Sequence, residues 1–288
     1  MANPLLRHDV YPQNLSEQNR ENINLYLDLM KRCVSNYIYG GEQAVYPFKN
    51  RIKKFVVDQL ARRNFYLIRS KVFDEKKKKE GREWPPGPSM HTMIGLDRLD
   101  NLQFCVEDVL KNAVPGDLIE TGVWRGGAVI FMRAILKAYG VRDRSVWLAD
   151  SFEGLPSPDA KKNPADKDSS FHEWKFFAVP LETVKKNFER YGLLDSQVHF
   201  LKGWFCDTLP TAPIERLAVL RLDGDMYEST MDALTHLYPK LSVGGYLIVD
   251  DYVLEPCRKA IHDYRDSHNI REEIVRVDWA SVYWQRTQ

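Results

Sequence analysis

From about residue 116 onward, short apolar runs alternate with longer amphipathic stretches, which predicts a mostly parallel sheet covered by helices. Strands are expected at DLIETGV (117–123), SVWLAD (145–150), VHFLKGW (198–204), LAVLRLD (217–223) and GYLIVDD (245–251). Their near-continuous apolar character is what burial on both faces requires. A last pair, around EIVRVD and SVYWQR, is too close for a helical crossover and should form an antiparallel hairpin. Helices are expected over 128–139 and in LETVKKNFERYG, STMDALTHLYPKL and EPCRKAIHDYRDSHN. Ser229 suits an N-cap, Pro256 a first helical position, and Gly140 and Gly192 helix ends.

The first hundred residues are patterned differently. INLYLDLMKRCVSNYIYG reads as an amphipathic helix, and the stretch around 50–69 as another. In DEKKKKEGREWPPGPSM, the run Lys76, Lys77, Lys78 and Lys79 reads as a solvated loop rather than a nucleic-acid patch. WPPGP fits neither helix nor central strand, so it is expected to be a loop with the makings of a lid. The expected organisation is a helical and lid region over 1–88 followed by one α/β domain over 89–288.

Composition narrows the partners. Hydrophobic residues at 44% and aromatics at 12% supply a substantial core, while 41 basic against 40 acidic residues leave no global field favouring nucleic acid or a membrane surface. The four cysteines, Cys33, Cys105, Cys206 and Cys257, lie far apart without metal-ligand spacing and read as reduced thiols. The start lacks a basic segment followed by an apolar one, and no uncharged apolar run reaches the roughly 18–20 residues of a membrane helix. A soluble, cytoplasmic protein is expected.

The candidate chemistry gathers at strand ends. IETGVWRGGA follows the first strand and opens a helix: Gly122 permits a tight turn, and Gly126 and Gly127 would let a ligand approach the backbone. A helix start in need of glycine explains that motif equally well. Glu120 sharpens the choice, because an acid here repels a pyrophosphate but can pair with the ammonium of a methionine moiety. S-adenosylmethionine then fits better than a dinucleotide. Asp150, ending the second strand, stands where an acid accepts hydrogen bonds from ribose hydroxyls. Trp204 and Phe205 could flank an adenine with Asp207 accepting from its amino group, or could simply pack the core. Glycine turn, ribose acid and adenine site follow one another along one sheet edge, and five parallel strands plus a hairpin is the Rossmann-like layout of class I methyltransferases.

Four aspartates come next along that edge: Asp223 and Asp225 in LRLDGDMYEST, Asp250 and Asp251 in GGYLIVDDY. Carboxylates brought together must take up protons or hold a cation, and the cation suited to oxygen ligands is Mg²⁺ or Mn²⁺. Asp225 is the weakest ligand candidate of the four. Among histidines, His236 and His262 fall within expected helices, whereas His91 and His172 lie in lid-like segments and remain candidate bases.

PSMHTMIGLDRLDNLQFCVEDVL, IETGVWRGGA, LADSFEGLP, FCDTLP, LRLDGDMYESTMDAL and GGYLIVDDY, in this order, resemble the macrocin O-methyltransferase family. Its members use S-adenosylmethionine and Mg²⁺ to methylate sugar hydroxyls of macrolide and aminocoumarin natural products. The resemblance covers residues 88–288 and, more loosely, a helical segment from about residue 22. It implies Asp223, Asp250 and Asp251 as metal ligands and Asp225 as general base, with Asp223 and Asp225 the catalytic pair. It also implies a cofactor site of Glu120, Gly122, Trp124, Asp150, Ser151, Trp204 and Asp207, with Thr92, Met93 and Ile94 covering the methionine end. A homodimer or larger assembly, with N-terminal elements at the interface or lid, and a small-molecule glycoside acceptor are expected with it. The longer N-terminal region and its lysine-rich insert depart from the pattern. A catechol-like phenolic diol as acceptor, a non-catalytic S-adenosylmethionine-binding protein and an NAD-dependent dehydrogenase are the alternatives. Glu120 and the absent G-x-G-x-x-G disfavour the dehydrogenase.

Overall fold

Seven strands form one sheet in the order β5-β4-β3-β6-β7-β9-β8. In the computed structural model these are β3 (Asp117–Thr121), β4 (Val146–Asp150), β5 (Val198–Lys202), β6 (Leu217–Leu222), β7 (Leu241–Val249), β8 (Val275–Arg276) and β9 (Val282–Gln285). The first five run parallel and the last two antiparallel, as the apolar runs and the short final connection require. Residues 15–39, 42–44, 55–56, 59–60, 63, 68–70, 74–84, 86–159 and 161–288 are described.

The strands alternate side chains between two cores. Leu118, Val146, Leu148, Val219 and Ile248 face one core, shared with α1 (Glu17–Val34), α3 (Leu96–Lys111), α4 (Gly127–Ala138) and α5 (Leu181–Arg190). Ile119, Trp147, Leu220, Leu247 and Trp284 face the other, beneath α6 (Phe205–Thr208), α7 (Tyr227–Leu237) and α8 (Glu255–Ser267). This period of two, with apolar side chains on both faces, is why the strands read as continuous hydrophobic runs.

The helix expected over 128–139 forms one residue earlier, and Gly140 and Gly192 follow helix ends in the left-handed region (φ +68° and +63°). Pro256 sits in the first turn of α8. Ser229 is not an N-cap: α7 begins two residues before it, and Ser229 is buried within the helix. The first amides of α7 are instead taken by Asp166, from a turn 61 residues earlier.

At the N-terminal end, α1 starts at Glu17, six residues before the expected helix, because Ser16 caps it by accepting from the Asn19 amide at 3.2 Å. It buries Leu27, Met30 and Val34 in the first core. The helix expected around 50–69 falls mostly outside the described residues. At its end Ile68–Ser70 (β2) is strand, paired antiparallel with Glu42–Ala44 (β1). The lysine run is solvent-exposed at Lys76, Lys77 and Lys79, as expected, but it is not a loop. Capped by Asp74, it forms a short helix, α2 (Glu75–Lys79), that turns Lys78 inward. The Lys78 ammonium pairs with Glu83 at 2.5 Å and donates to the Ser35 carbonyl at 3.2 Å. Among the described residues no helix is long and apolar enough to cross a membrane.

Candidate active site

The parallel strands end on one edge of the sheet, where a cavity of about 650 Å³ opens. Glu120, Gly122, Trp124, Asp150 and Ser151 line it, with Thr92, Met93 and Ile94. Gly122 has φ +81°, and a β-carbon there would fall 1.7 Å from the Asp223 carbonyl oxygen, so only glycine lets β3 and β6 end so close together. Gly126 and Gly127 do not serve ligand approach. A β-carbon on Gly126 would meet Val184, and one on Gly127 the His91 carbonyl, so both glycines admit protein. The Gly127 amide donates to that carbonyl at 2.9 Å, which brings Thr92, Met93 and Ile94 over the helix start. Arg125 fastens the segment ahead of them, donating to the carbonyls of Gly87, Pro88 and Met90 at 3.0, 2.9 and 2.7 Å.

The Asp150 carboxylate accepts from the Val123 amide at 2.7 Å and the Phe152 amide at 2.6 Å. Burial raises its pKa, and these amides oppose the rise. Ser151 donates to the Gly154 carbonyl at 2.6 Å. Trp204 and Phe205 also line the cavity, but Asp207 does not. The single turn of α6 presents Cys206 to the cavity and leaves Asp207 exposed to solvent.

The acidic end of the cavity is organised by two arginines that the sequence reading did not single out. Arg221, 1% exposed and next to last in β6, pairs with Glu120, Asp223 and Asp250. Arg98, buried on α3, pairs with Asp250 and Asp278, each at 2.7 Å. Burial alone would lower both arginine pKa values, and the surrounding carboxylates outweigh it. A buried charge must be paired, so an arginine inside the apolar run LAVLRLD was the available signal.

Asp223, Asp250 and Asp251 each bring a carboxylate oxygen within 4.8 Å of the others. Asp225 stands beside them on the cavity wall with φ +57°, its amide donating to Asp251 at 3.1 Å. Six carboxylates (Glu120, Asp223, Asp225, Asp250, Asp251 and Asp278) thus face two guanidinium groups. Burial and then the Asp223 and Asp250 charges push Asp225 up to about 8, and burial with Asp225 beside it raises Asp251 well above the carboxylate range. Glu120 is pushed up to about 8 by burial even though Arg221 holds one of its oxygens. Its other oxygen is buried with no hydrogen-bond partner.

None of His91, His172, His236 and His262 lines the cavity. His91 lies 2.7 Å from the Tyr191 hydroxyl, and burial, with Arg125 and Arg190 adding, pushes it down to about 4. The outer cavity is aromatic: Trp84, Phe171, Phe177 and Trp279. The Trp279 ring lies 5.0 Å from the Arg82 guanidinium and 5.5 Å from that of Arg98, and its indole donates to the Glu80 carbonyl at 2.8 Å. A tryptophan beside prolines in WPPGP hinted at this wall.

The Macrocin-O-methyltransferase (TylF) family matches residues 23–286. The mycinamicin III 3''-O-methyltransferase of Micromonospora griseorubida is 52% identical over 268 residues, covering 92% of this chain and 97% of the relative. The demethyldecarbamoylnovobiocin O-methyltransferase of Streptomyces niveus is 48% identical over 275 residues, covering 95% and 97%. The solved structure of the O-methyltransferase NovP has a TM-score of 0.80 at 49% identity, over 92% of this chain and 100% of that one. The calicheamicin methyltransferase CalS11, at 16% identity and a TM-score of 0.55 over 94% of both chains, shares the fold. S-adenosylmethionine is the methyl donor that these matches imply for the cavity. The chain belongs to the macrocin O-methyltransferase family and is an O-methyltransferase of the class I fold.

Proposed function

We propose that this enzyme methylates a hydroxyl on the sugar, a deoxysugar in particular, of a glycosylated natural product, with Mg²⁺ or Mn²⁺ held by Asp223, Asp250 and Asp251. The observation that carries the metal is the excess of carboxylates over guanidinium groups at one end of the cavity. Such a set is a hard oxygen-donor site, and a divalent cation would relieve the repulsion that otherwise drives protons onto it. The sugar acceptor is supported by relatives named for methylation of mycinamicin III and of a rhamnosyl-tetracenomycin.

The residues also fit the methyl donor. The unpartnered Glu120 oxygen suits its ammonium, Asp150 its ribose hydroxyls, and Trp204 and Phe205 the two faces of an adenine. When bound, S-adenosylmethionine supplies an electrophilic methyl group and the metal a positive charge that makes a nearby hydroxyl more acidic. Asp225, on the cavity wall beside Asp251, takes the hydroxyl proton at its carboxylate. Thr92, Met93, Ile94 and Trp84, all lining the cavity, exclude water and align the acceptor.

The test is a methylation assay against glycosylated metabolites and simple catechols, read by mass and by the position methylated. Transfer to a sugar hydroxyl that stops in EDTA and returns with Mg²⁺ is expected. Full turnover in chelator would remove the metal from the mechanism, and methylation of the catechols alone would move the acceptor to phenolic diols.

A further inference from the structure

Asp166 lies outside the cavity lining, yet it is fully buried in a connection otherwise rich in exposed lysine and aspartate. It ends a short 3₁₀ turn, Pro164–Asp166. Its two oxygens accept from the amides of Tyr227 at 2.7 Å and Glu228 at 3.1 Å, the first two residues of α7. The residue in the N-cap position of α7, Met226, supplies no side-chain acceptor, so Asp166 does that work from a distance.

The turn held this way is the one that matters chemically. Between Leu222 and Tyr227 the chain passes through Asp223, Gly224, Asp225 and Met226. The near end is fixed by the Asp223 amide donating to the Thr121 carbonyl at 2.9 Å. In the middle, Asp225 takes a left-handed backbone conformation that costs a non-glycine residue energy and persists only when its surroundings hold it. The Met226 amide folds back onto the Gly224 carbonyl at 2.5 Å, and the far end meets Asp166. The connection that carries Asp166 continues to Phe171 and Phe177 on the outer cavity wall, and Lys162 in it pairs with Glu228.

We propose that Asp166 is a positioning residue for methyl transfer: its buried carboxylate clamps the start of α7 and so holds Asp225 in its left-handed conformation on the cavity wall. This rests on Asp225 acting as the base. Asp166 bonds the first amides of α7 and none of Asp150, Ser151, Trp204 and Phe205, so the clamp bears first on the acid turn and reaches Glu120 only by way of Asp223 and Arg221.

Asp166→Ala and Asp166→Asn should be compared with wild type, with Lys162→Ala as a control that cuts only the exposed tie to Glu228. Asp166→Ala is expected to lower kcat by about 10- to 100-fold, the cost of displacing a reacting group by about an ångström. Its affinity for S-adenosylmethionine, measured by calorimetry, should stay within about twofold of wild type. Asp166→Asn, which keeps one acceptor oxygen, should recover part of the loss, and Lys162→Ala should leave kcat unchanged. A crystal structure of Asp166→Ala should show Asp225 out of the left-handed region. The proposal is overturned if Asp225 keeps its conformation there, if kcat is unchanged, or if donor affinity falls as far as kcat. A wild-type enzyme inactive on every glycoside would count against the acceptor assignment instead, and the variant's crystal structure would still decide the role of Asp166.

Discussion

The two halves of the cavity are built on different physics. On the donor side, polar side chains are fixed by local bonds to backbone: Asp150 to two amides, Ser151 to the Gly154 carbonyl, Trp124 to the Phe176 carbonyl at 3.0 Å. That half is preformed. On the acid side, the fixed partners are two buried guanidinium groups, which leave carboxylate charge uncompensated and Asp225 and Asp251 raised. That half holds more carboxylate than its two guanidinium groups neutralise. The difference shows why one sheet edge can bind a donor rigidly while keeping a basic, charge-hungry site beside it.

Arg221→Met breaks the comparison most severely. It removes the buried shared partner of Glu120, Asp223 and Asp250, and unpairing a buried charge cluster costs about 3–5 kcal/mol. A fall in Tm of about 10 °C, near 2–4 °C per kcal/mol, is expected by calorimetry. An unchanged Tm would mean that Arg221 is not the counter-charge of the cluster.

A smaller effect sharpens the contrast. Glu120 and Asp225 have folded-state pKa values of about 8, above their ordinary values of 4.5 and 3.8, so the folded protein binds protons that the unfolded chain has released. Their contribution is fully present below pH 4 and is lost as pH rises toward 8. Metal-free enzyme should therefore lose Tm between pH 5 and pH 8, and saturating Mg²⁺ should flatten that slope. A metal-free Tm that rises through the window would contradict the excess of acid.

The sheet, its order of elements and the closing hairpin were legible because burial on both faces writes long apolar runs, and Asp250 and Asp251 were legible because such a run ends in them. Family membership then set aside the dehydrogenase alternative. What escaped was long-range. Nothing local marks Asp166 as the cap of a helix 61 residues away, and that partnership is why Ser229 was mistaken for the cap. Lys78 hid inside a charged run because its partners, Glu83 and the Ser35 carbonyl, are met only in three dimensions. Gly126 and Gly127 left ligand approach and a glycine-requiring helix start both open, because a motif shows where glycine is needed and not what passes beside it; the helix start is what the structure has. Asp207 and Cys206 differ by one position on a helical turn, a finer distinction than strand and helix boundaries allow.

The most direct test of the acid site is calorimetric titration of metal-free enzyme with Mn²⁺, for wild type and Asp251→Asn. The structure predicts one site per chain in the wild type, binding more tightly as pH rises from 6 to 8 because protons must leave the carboxylates first. It predicts affinity at least about tenfold weaker in Asp251→Asn, with S-adenosylmethionine binding retained. No Mn²⁺ binding by the wild type, or equal binding by the variant, would contradict it.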